Sequence, residues 1–375
     1  MTKNKFDEIA INSTPKKKPT EEDKVYYIGL EHIDPGCFDV VRWGSNVAPT
    51  GDKLLMQKGD VLFGKRRAYQ RKVAIAPFDG IFSAHGMVLR PNLKVIDANY
   101  FPFFISSDKF METAVRISVG GLSPTINWKD LARQEFELPS LDEQKVLADK
   151  LWAAYRLKEA YKKLLVATDE MVKSQFIEMF ENVESYCKLE DLVSDTFPGE
   201  WGSEPISENA IKVIRTTNFT NEGYLDLTDV VTRDIEPKKV VRKKLKQGDT
   251  ILERSGGTKD NPVGRVVFFD EIGDYLPNNF TQVLRPKESV NPVYLFYALY
   301  NSYNLNKAAM RAMASQTTGI QNLSMSDFMA KFIVLPSRNE QNKFEQIYRQ
   351  ADKSKFELKQ SIEHIDKVIK SLING

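Results

Sequence analysis

The feature that most constrains this chain is a junction written twice. "ELPSLDEQKVL" occupies 137–147, and "VLPSRNEQNKF" occupies 334–344. Both copies carry Leu-Pro-Ser, then Glu-Gln, then a long stretch without Pro or internal Gly. In the first stretch Leu147, Leu151, Ala154, Lys158, Tyr161, Leu165, Thr168, Val172, Gln175 and Met179 recur at alternating spacings of four and three. In the second, Phe344, Ile347, Ala351, Ser354, Leu358, Ser361, Ile365, Val368 and Leu372 do the same. A seam held over several heptads predicts two long helices that pack on another helix; the bland alternative is that each seam packs on its own globular domain. At 1.5 Å per residue each would be roughly 50–60 Å long, more than the width of a small domain. Pro139 and Pro336 stop a preceding strand, Ser140 and Ser337 are N-cap candidates, and Glu143 with Gln144 falls in the first turn.

Other segments repeat in the same order. "FDEIA" (6–10) is answered by "LEDLV" (189–193), "VYYIGLEHI" (25–33) by "IKVIRTTNF" (211–219), "QKGDVLF" (57–63) by "KQGDTIL" (246–252), and "MVLRP" (87–91) by "QVLRP" (282–286). The offset grows from 183 at Ile9/Leu192 to 189 at Gly59/Gly248 and 197 at Leu138/Leu335. The second copy therefore carries insertions, which fall in loops. A period this long is a duplicated domain with its helix, not a solenoid. Within each copy, β-rich runs such as "VAIAPF" and "RVVFF" alternate with turns, and 291–314 reads as helical. The expectation is α+β: two tandem globular domains and two antiparallel coiled-coil helices, related by a pseudo-twofold axis. The domains run 1–138 and 183–335; the helical spacers run 139–182 and 336–375.

Charge is informative only locally. Residues 1–138 hold 20 Lys/Arg against 17 Asp/Glu, and residues 183–335 hold 18 against 20, so neither domain binds nucleic acid through bulk charge. Two clusters stand out: Lys65, Arg66, Arg67, Arg71 and Lys72, and the run from Lys238 to Lys246. No apolar run approaches the ~20 residues of a membrane helix. The N-terminus lacks an apolar signal core. Two distant cysteines make no framework, so a reducing cytoplasm is the expected location.

At the junctions the chain resembles the specificity subunits of Type I restriction–modification enzymes. The resemblance rests on 138–144 and 335–341, on the Gly-Asp turns at 59–62 and 248–251, and on "TTGIQNLS" at 317–324. The second junction departs locally, with Arg338-Asn339 where Leu and any residue are usual. The resemblance implies that each domain reads one half of a bipartite site on double-stranded DNA. It implies that the helices set the spacing and dock two methyltransferase (modification) subunits, and that restriction (translocase/nuclease) subunits join the complex. It implies no cofactor and no catalysis in this chain.

Candidate contacts follow. "GDVLFGKRRAYQRKVAI" (59–75) reads as strand, loop, strand. Its Lys65, Arg66, Arg67, Arg71 and Lys72 could pair with guanine edges or neutralise phosphate, with Tyr69 and Gln70 interleaved as base-edge readers; the bland alternative is a solvated loop. In "ERSGGTKDNPVGRV" (253–266) the candidates are Arg254, Ser255, Gly256, Gly257, Lys259 and Arg265, with the Gly pair able to bring amides near phosphate. No Gly-Lys-Ser/Thr closes that loop, so it is not a nucleotide loop. "NPVY" (291–294) resembles a methyltransferase motif, but a capping Asn and a first-turn Pro explain it better. His32, His85 and His364 lack metal-ligand spacing. Two competing readings remain: an enzyme acting on DNA, which needs a site the sequence does not show, and a two-headed protein-binding scaffold without DNA binding.

Overall fold

A computed structural model describes residues 2–206, 210–317 and 319–374, with 316 and 317 described by backbone alone. Thr318, within the "TTGIQNLS" stretch, lies outside the described residues. The chain divides into two units, Met1–Lys163 with Leu358–Gly375 and Leu164–Glu357.

The first unit is built on an antiparallel sheet in the order Ala10–Ser13, Met87–Pro91, Val61–Phe63, Val73–Ile75. A second sheet joins Lys16–Lys17, Lys53–Met56, Gly80–Phe82 and Tyr27–Ile28, the last pair parallel. Thr2–Lys5 pairs with Glu135–Leu138 to close the domain beside its exit helix. Phe6, Phe63, Phe101, Phe110 and Phe136 are fully enclosed in the core. Truncating one such ring costs about 3–5 kcal/mol.

The second unit repeats the plan. Its sheet runs Val193–Pro198, Thr281–Pro286, Asp249–Glu253, Val266–Phe269. Val231–Arg233, Ile211–Ile214 and Tyr275–Pro277 form the smaller sheet, again with one parallel pair. Tyr186–Lys188 pairs with Phe332–Val334. The helical stretch expected over 291–314 is two helices, Pro292–Leu305 and Lys307–Ala312. Asn306 breaks it because its side chain accepts the Ala309 N–H and caps the second helix. Asn291 caps the first by accepting from Tyr294 N, with Pro292 in the first turn.

The repeated motifs have a physical reason. Gly59 and Gly248 adopt φ of 91° and 94°, a conformation that glycine takes without penalty. The next residue is a buried aspartate. Asp60 accepts the Gln57 N–H at 2.7 Å and receives Arg90 through Nε and Nη2 at 2.6 and 2.9 Å. Asp249 accepts the Lys246 N–H at 2.8 Å and receives Arg285 at 2.8 and 2.7 Å. The "GD" turn and the "LRP" strand are thus two halves of one bidentate ion pair, built once per unit.

The junctions are equally repetitive. The Ser140 N–H and hydroxyl donate to Glu143, whose own N–H returns to Ser140 Oγ. Ser337 and Glu340 form the same capping box. Gln144 is buried; it accepts the Asp97 N–H and donates to the carbonyls of Val95 and Pro139. Gln341 accepts the Asn291 N–H and donates to Pro336 O. The Glu caps the helix, and the Gln ties it to the domain it leaves.

The helices run Leu141–Phe180 and Arg338–Asn374. All ten expected seam positions of the first are buried or half-buried. In the second, Ser354 and Val368 are exposed, and Lys355, Ile369 and Ile373 take the inward places. Lys355 turns inward because it is paired: its Nζ reaches Asp169 at 2.7 Å. Ile369, Leu372 and Ile373 pack on the first unit's core, where Leu151 and Tyr155 also lie. Val172, Phe176 and Phe344 belong to the second unit's core. The helix ends therefore pack on the domain cores.

Candidate nucleic-acid interface

In the first unit the basic loop at 64–72 links two neighbouring strands, and Gly64 N–H to Lys72 O closes its base at 2.9 Å. Between them Ala68–Gln70 makes a short 3-10 turn. Arg67 and Arg71, on either side of it, take the left-handed conformation at φ of 56° and 53°. That conformation is uncommon outside glycine and persists only where neighbours impose it. At Arg67 a second loop does so, and at Arg71 the side chain is held by Ser106 O and Asp108. Arg67 N donates to Pro124 O at 2.7 Å, and Ile126 N donates to Lys65 O at 3.1 Å. Arg66 N donates to His85 O at 3.1 Å.

The second loop, 118–126, is a tight hairpin in which Val119 and Thr125 exchange both backbone bonds. Arg67 Nε and Nη2 donate to Ser123 Oγ at 3.2 and 3.0 Å. Arg66 Nη1 and His85 Nε2 are 3.2 Å apart. Lys65 is half-buried; burial first, then Lys16, pulls its ammonium below the usual lysine range. His85 is held below the usual imidazole range by burial, then by Arg66, Lys65 and Lys53. Like charges crowded in this way are relieved by an anion.

The predicted residues split. Lys65, Arg66 and Arg67 gather beside the hairpin, and Tyr69 is exposed near them at 54%. Gln70 is half-buried in the turn. Arg71 reaches back to Asp108 at 2.7 Å and to Ser106 O. Lys72 donates to Leu30 O. His85, Lys16, Ser123 and Leu122 belong to the same surface but were not among the sequence candidates. The lysine run at 16–18 was the one signal for part of it.

The second unit builds the counterpart from the loop at 254–265. Ser255–Gly256 pairs with Ile320–Leu323, which pairs with Ala314–Thr317, so the loop is braced by a hairpin in the same place. Arg254 N donates to Phe280 O at 2.9 Å, and its Nη1 faces Gln282 Oε1 at 3.4 Å. Ser255 is buried and donates to Asn322 Oδ1. Gly256 is half-buried in the short strand. A Cβ on Gly257 would stand 2.7 Å from Val263 N, so glycine serves close packing there. The Gly257 N–H points to the buried Glu253 at 3.3 Å. Arg265 donates to the same carboxylate at 2.6 Å, over the Phe219 ring. Lys259 is exposed; its carbonyl accepts from Arg311. Lys307 donates to Asn261 Oδ1. Arg311 and Lys307 add cations that the sequence reading missed, because helical spacing brings them to this loop.

Half of the cations in the run 238–246 are engaged in ion pairs. Lys239 and Lys243 pair with Glu200, and Lys244 pairs with Asp274. Among the described residues no group of three or more His, Cys, Asp or Glu could hold a metal ion, and no helix is long and apolar enough to cross a membrane.

A family model described as "Type I restriction modification DNA specificity domain" matches residues 6–165 and again 196–366. The specificity subunit of the Type I restriction enzyme EcoKI from Escherichia coli (strain K12) is 20% identical over 387 residues, covering 94% of this chain and 82% of that one. Among solved structures, a chain from a type I R-M system superposes with a TM-score of 0.59 at 16% identity, covering 99% of this chain and 96% of that one. The S subunit of a Type-I restriction-modification system from M. genitalium gives 0.59 at 15% identity, with 99% and 94% covered.

Proposed function

The chain belongs to the Type I restriction–modification DNA specificity family, and from that premise we propose that it is the sequence-reading subunit of such a complex. Each unit reads one half of a bipartite site on double-stranded DNA, and the long helices set the spacing. The observation that carries this reading is the twofold occurrence of a cation-bearing loop braced by a glycine hairpin. In the first unit Lys65, Arg66 and Arg67 crowd around a hairpin that fixes the loop backbone. In the second, Arg254 and Lys259 lie on a loop strand-paired to its hairpin, with Arg311 bonded to the Lys259 carbonyl. A rigid loop of cations and polar groups is what base and phosphate contacts need.

The chain contributes no catalysis in this reading; two methyltransferase subunits and the restriction subunits supply it. Docking of the methyltransferase subunits falls to the helices. Leu157, Leu164 and Met171 stand exposed at seven-residue spacing on the first helix, outside its buried seam, which is the pattern of a surface awaiting another helix.

The test is modular exchange. Replace residues 183–335 with the equivalent domain of a relative, co-express the hybrid with the methyltransferase subunits, and map the methylated sites. One half-site changes and the other stays. A hybrid that assembles and changes both halves, or a wild-type chain that directs no site-specific methylation, contradicts the reading.

A further inference from the structure

Leu122 is the most exposed large apolar side chain in the described structure, at 96%. A scattered surface leucine needs no explanation. This one is not scattered. It forms the tip of the 118–126 hairpin, next to Ser123, which receives the Arg67 guanidinium. Two backbone bonds, from Arg67 N to Pro124 O and from Ile126 N to Lys65 O, lock that hairpin onto the cationic loop. The leucine therefore projects from a rigid support beside three cations, where a polar tip would be the ordinary choice for a solvated turn.

The second unit repeats the arrangement. Its hairpin pairs with the 254–265 loop through Ser255↔Asn322 and Gly256↔Gln321. Directly after the turn glycine, Gly319, stands Ile320, 42% exposed. Both hairpins present an exposed aliphatic side chain next to a turn glycine, Leu122 at the tip of the first, with Val119 also exposed at its base, and Ile320 in the second, though their turn sequences share little else.

We propose that Leu122 is a specificity-determining residue that packs against base edges in the DNA groove while Lys65, Arg66 and Arg67 hold the flanking backbone, and that Ile320 serves the other half-site. Apolar contacts to base edges discriminate sequence, whereas phosphate contacts do not. This rests on the reading of the chain as the DNA-specificity subunit. The cations set affinity and salt dependence; the aliphatic tip refines which base pair is accepted.

The experiment uses the complex assembled with its methyltransferase subunits, carrying wild-type, Leu122→Ala or Leu122→Lys chains. Methylated sites are mapped by sequencing, and affinity is measured for specific and random duplexes across salt. The side chain makes no core contact, so both variants should fold, and circular dichroism checks this. With Leu122→Ala, one position of the first half-site becomes degenerate and preference there falls roughly tenfold. The second half-site and the salt slope stay as in the wild type. Leu122→Lys raises affinity for random DNA and loses the same preference. If the wild type methylates a defined bipartite site and both variants keep that site and its preference unchanged, the proposal is overturned while the subunit reading stands. If the wild type itself directs no site-specific methylation, both are overturned.

Discussion

Lys158 Nζ lies 2.7 Å from Asp366 Oδ1, joining the two long helices. Its counterpart, Lys355 to Asp169, measures 2.7 Å as well. The partners are related by the 197-residue offset that relates Leu138 to Leu335, so the duplication has become a matched pair of cross-helix ties. Such pairs fix register and antiparallel sense more than they add stability. Both lysines are buried, while the Asp366 side chain is 50% exposed.

That asymmetry predicts unequal mutants. Lys158→Met removes the buried charge and leaves Asp366 able to hydrate, so it should cost less than about 1 kcal/mol. Asp366→Asn strands a buried ammonium and should cost about 1–3 kcal/mol. Urea unfolding of the two variants checks this; equal costs would refute it.

The bidentate pairs inside the sheets should matter more. Asp249→Ala leaves Arg285, 17% exposed, with only the Lys244 carbonyl, and the Lys246 N–H without its acceptor. A loss of about 3–5 kcal/mol is expected for a broken buried pair. Asp60→Ala should cost less, because Arg90 is 37% exposed and rehydrates. Melting curves that rank the two in the opposite order contradict this account.

The capping carboxylates give a pH signature. Hydrogen bonds from the Ser140 N–H and hydroxyl hold Glu143 below the usual carboxylate range, and the Ser337 hydroxyl and N–H do the same for Glu340. Their folded values are depressed, so their contribution is present above the unfolded value, about 4.3. It disappears as pH falls through the folded value. The melting-temperature gap between wild type and the Glu143→Gln, Glu340→Gln double variant should therefore narrow below pH about 4. A gap that is constant down to acid unfolding rules this out.

The interface residues separate by measurement. Alanine at Lys65, Arg66 or Arg67 should leave folding intact and lower DNA affinity. A phosphate contact flattens the salt slope by about one unit, and a base reader relaxes one position. Arg265→Ala should instead destabilise the second unit, since it leaves the buried Glu253 without its partner guanidinium. Wild-type stability in Arg265→Ala, or unchanged affinity and slope in all three loop variants, would reverse the assignment.

What was legible in the sequence was what is local. Ser140 and Glu143 are three apart, so a capping box can be read directly. Gln144 repeats in the same motif, but its bonds go to Val95 and Asp97, nearly fifty residues back, and spacing does not expose them. Gly59-Asp60 and Arg90-Pro91 were each visible as repeats; that they meet is a fact of strand pairing. Lys158 stands in the heptad seam, but its partner Asp366 lies some two hundred residues away, and spacing does not expose it. The loop's charges were plain, yet their directions were not: Arg71 and Lys72 turn inward, while Leu122 and His85 arrive from segments that read as ordinary turns.

The helices as spacers give the last prediction. Insertion of one heptad after Thr168 and another after Leu358 preserves both seams. The insertions fall almost opposite each other, since Asp169 faces Lys355 across the pair. Each helix lengthens by roughly 10 Å. With about 3.4 Å per base pair, the methylated half-sites should move apart by roughly three base pairs, with lower activity because the added rotation along the duplex, about a third of a turn, must be absorbed. Sequencing of methylated DNA reads the spacing directly. An active double insertion with the wild-type spacing would transfer the ruler to the methyltransferase subunits.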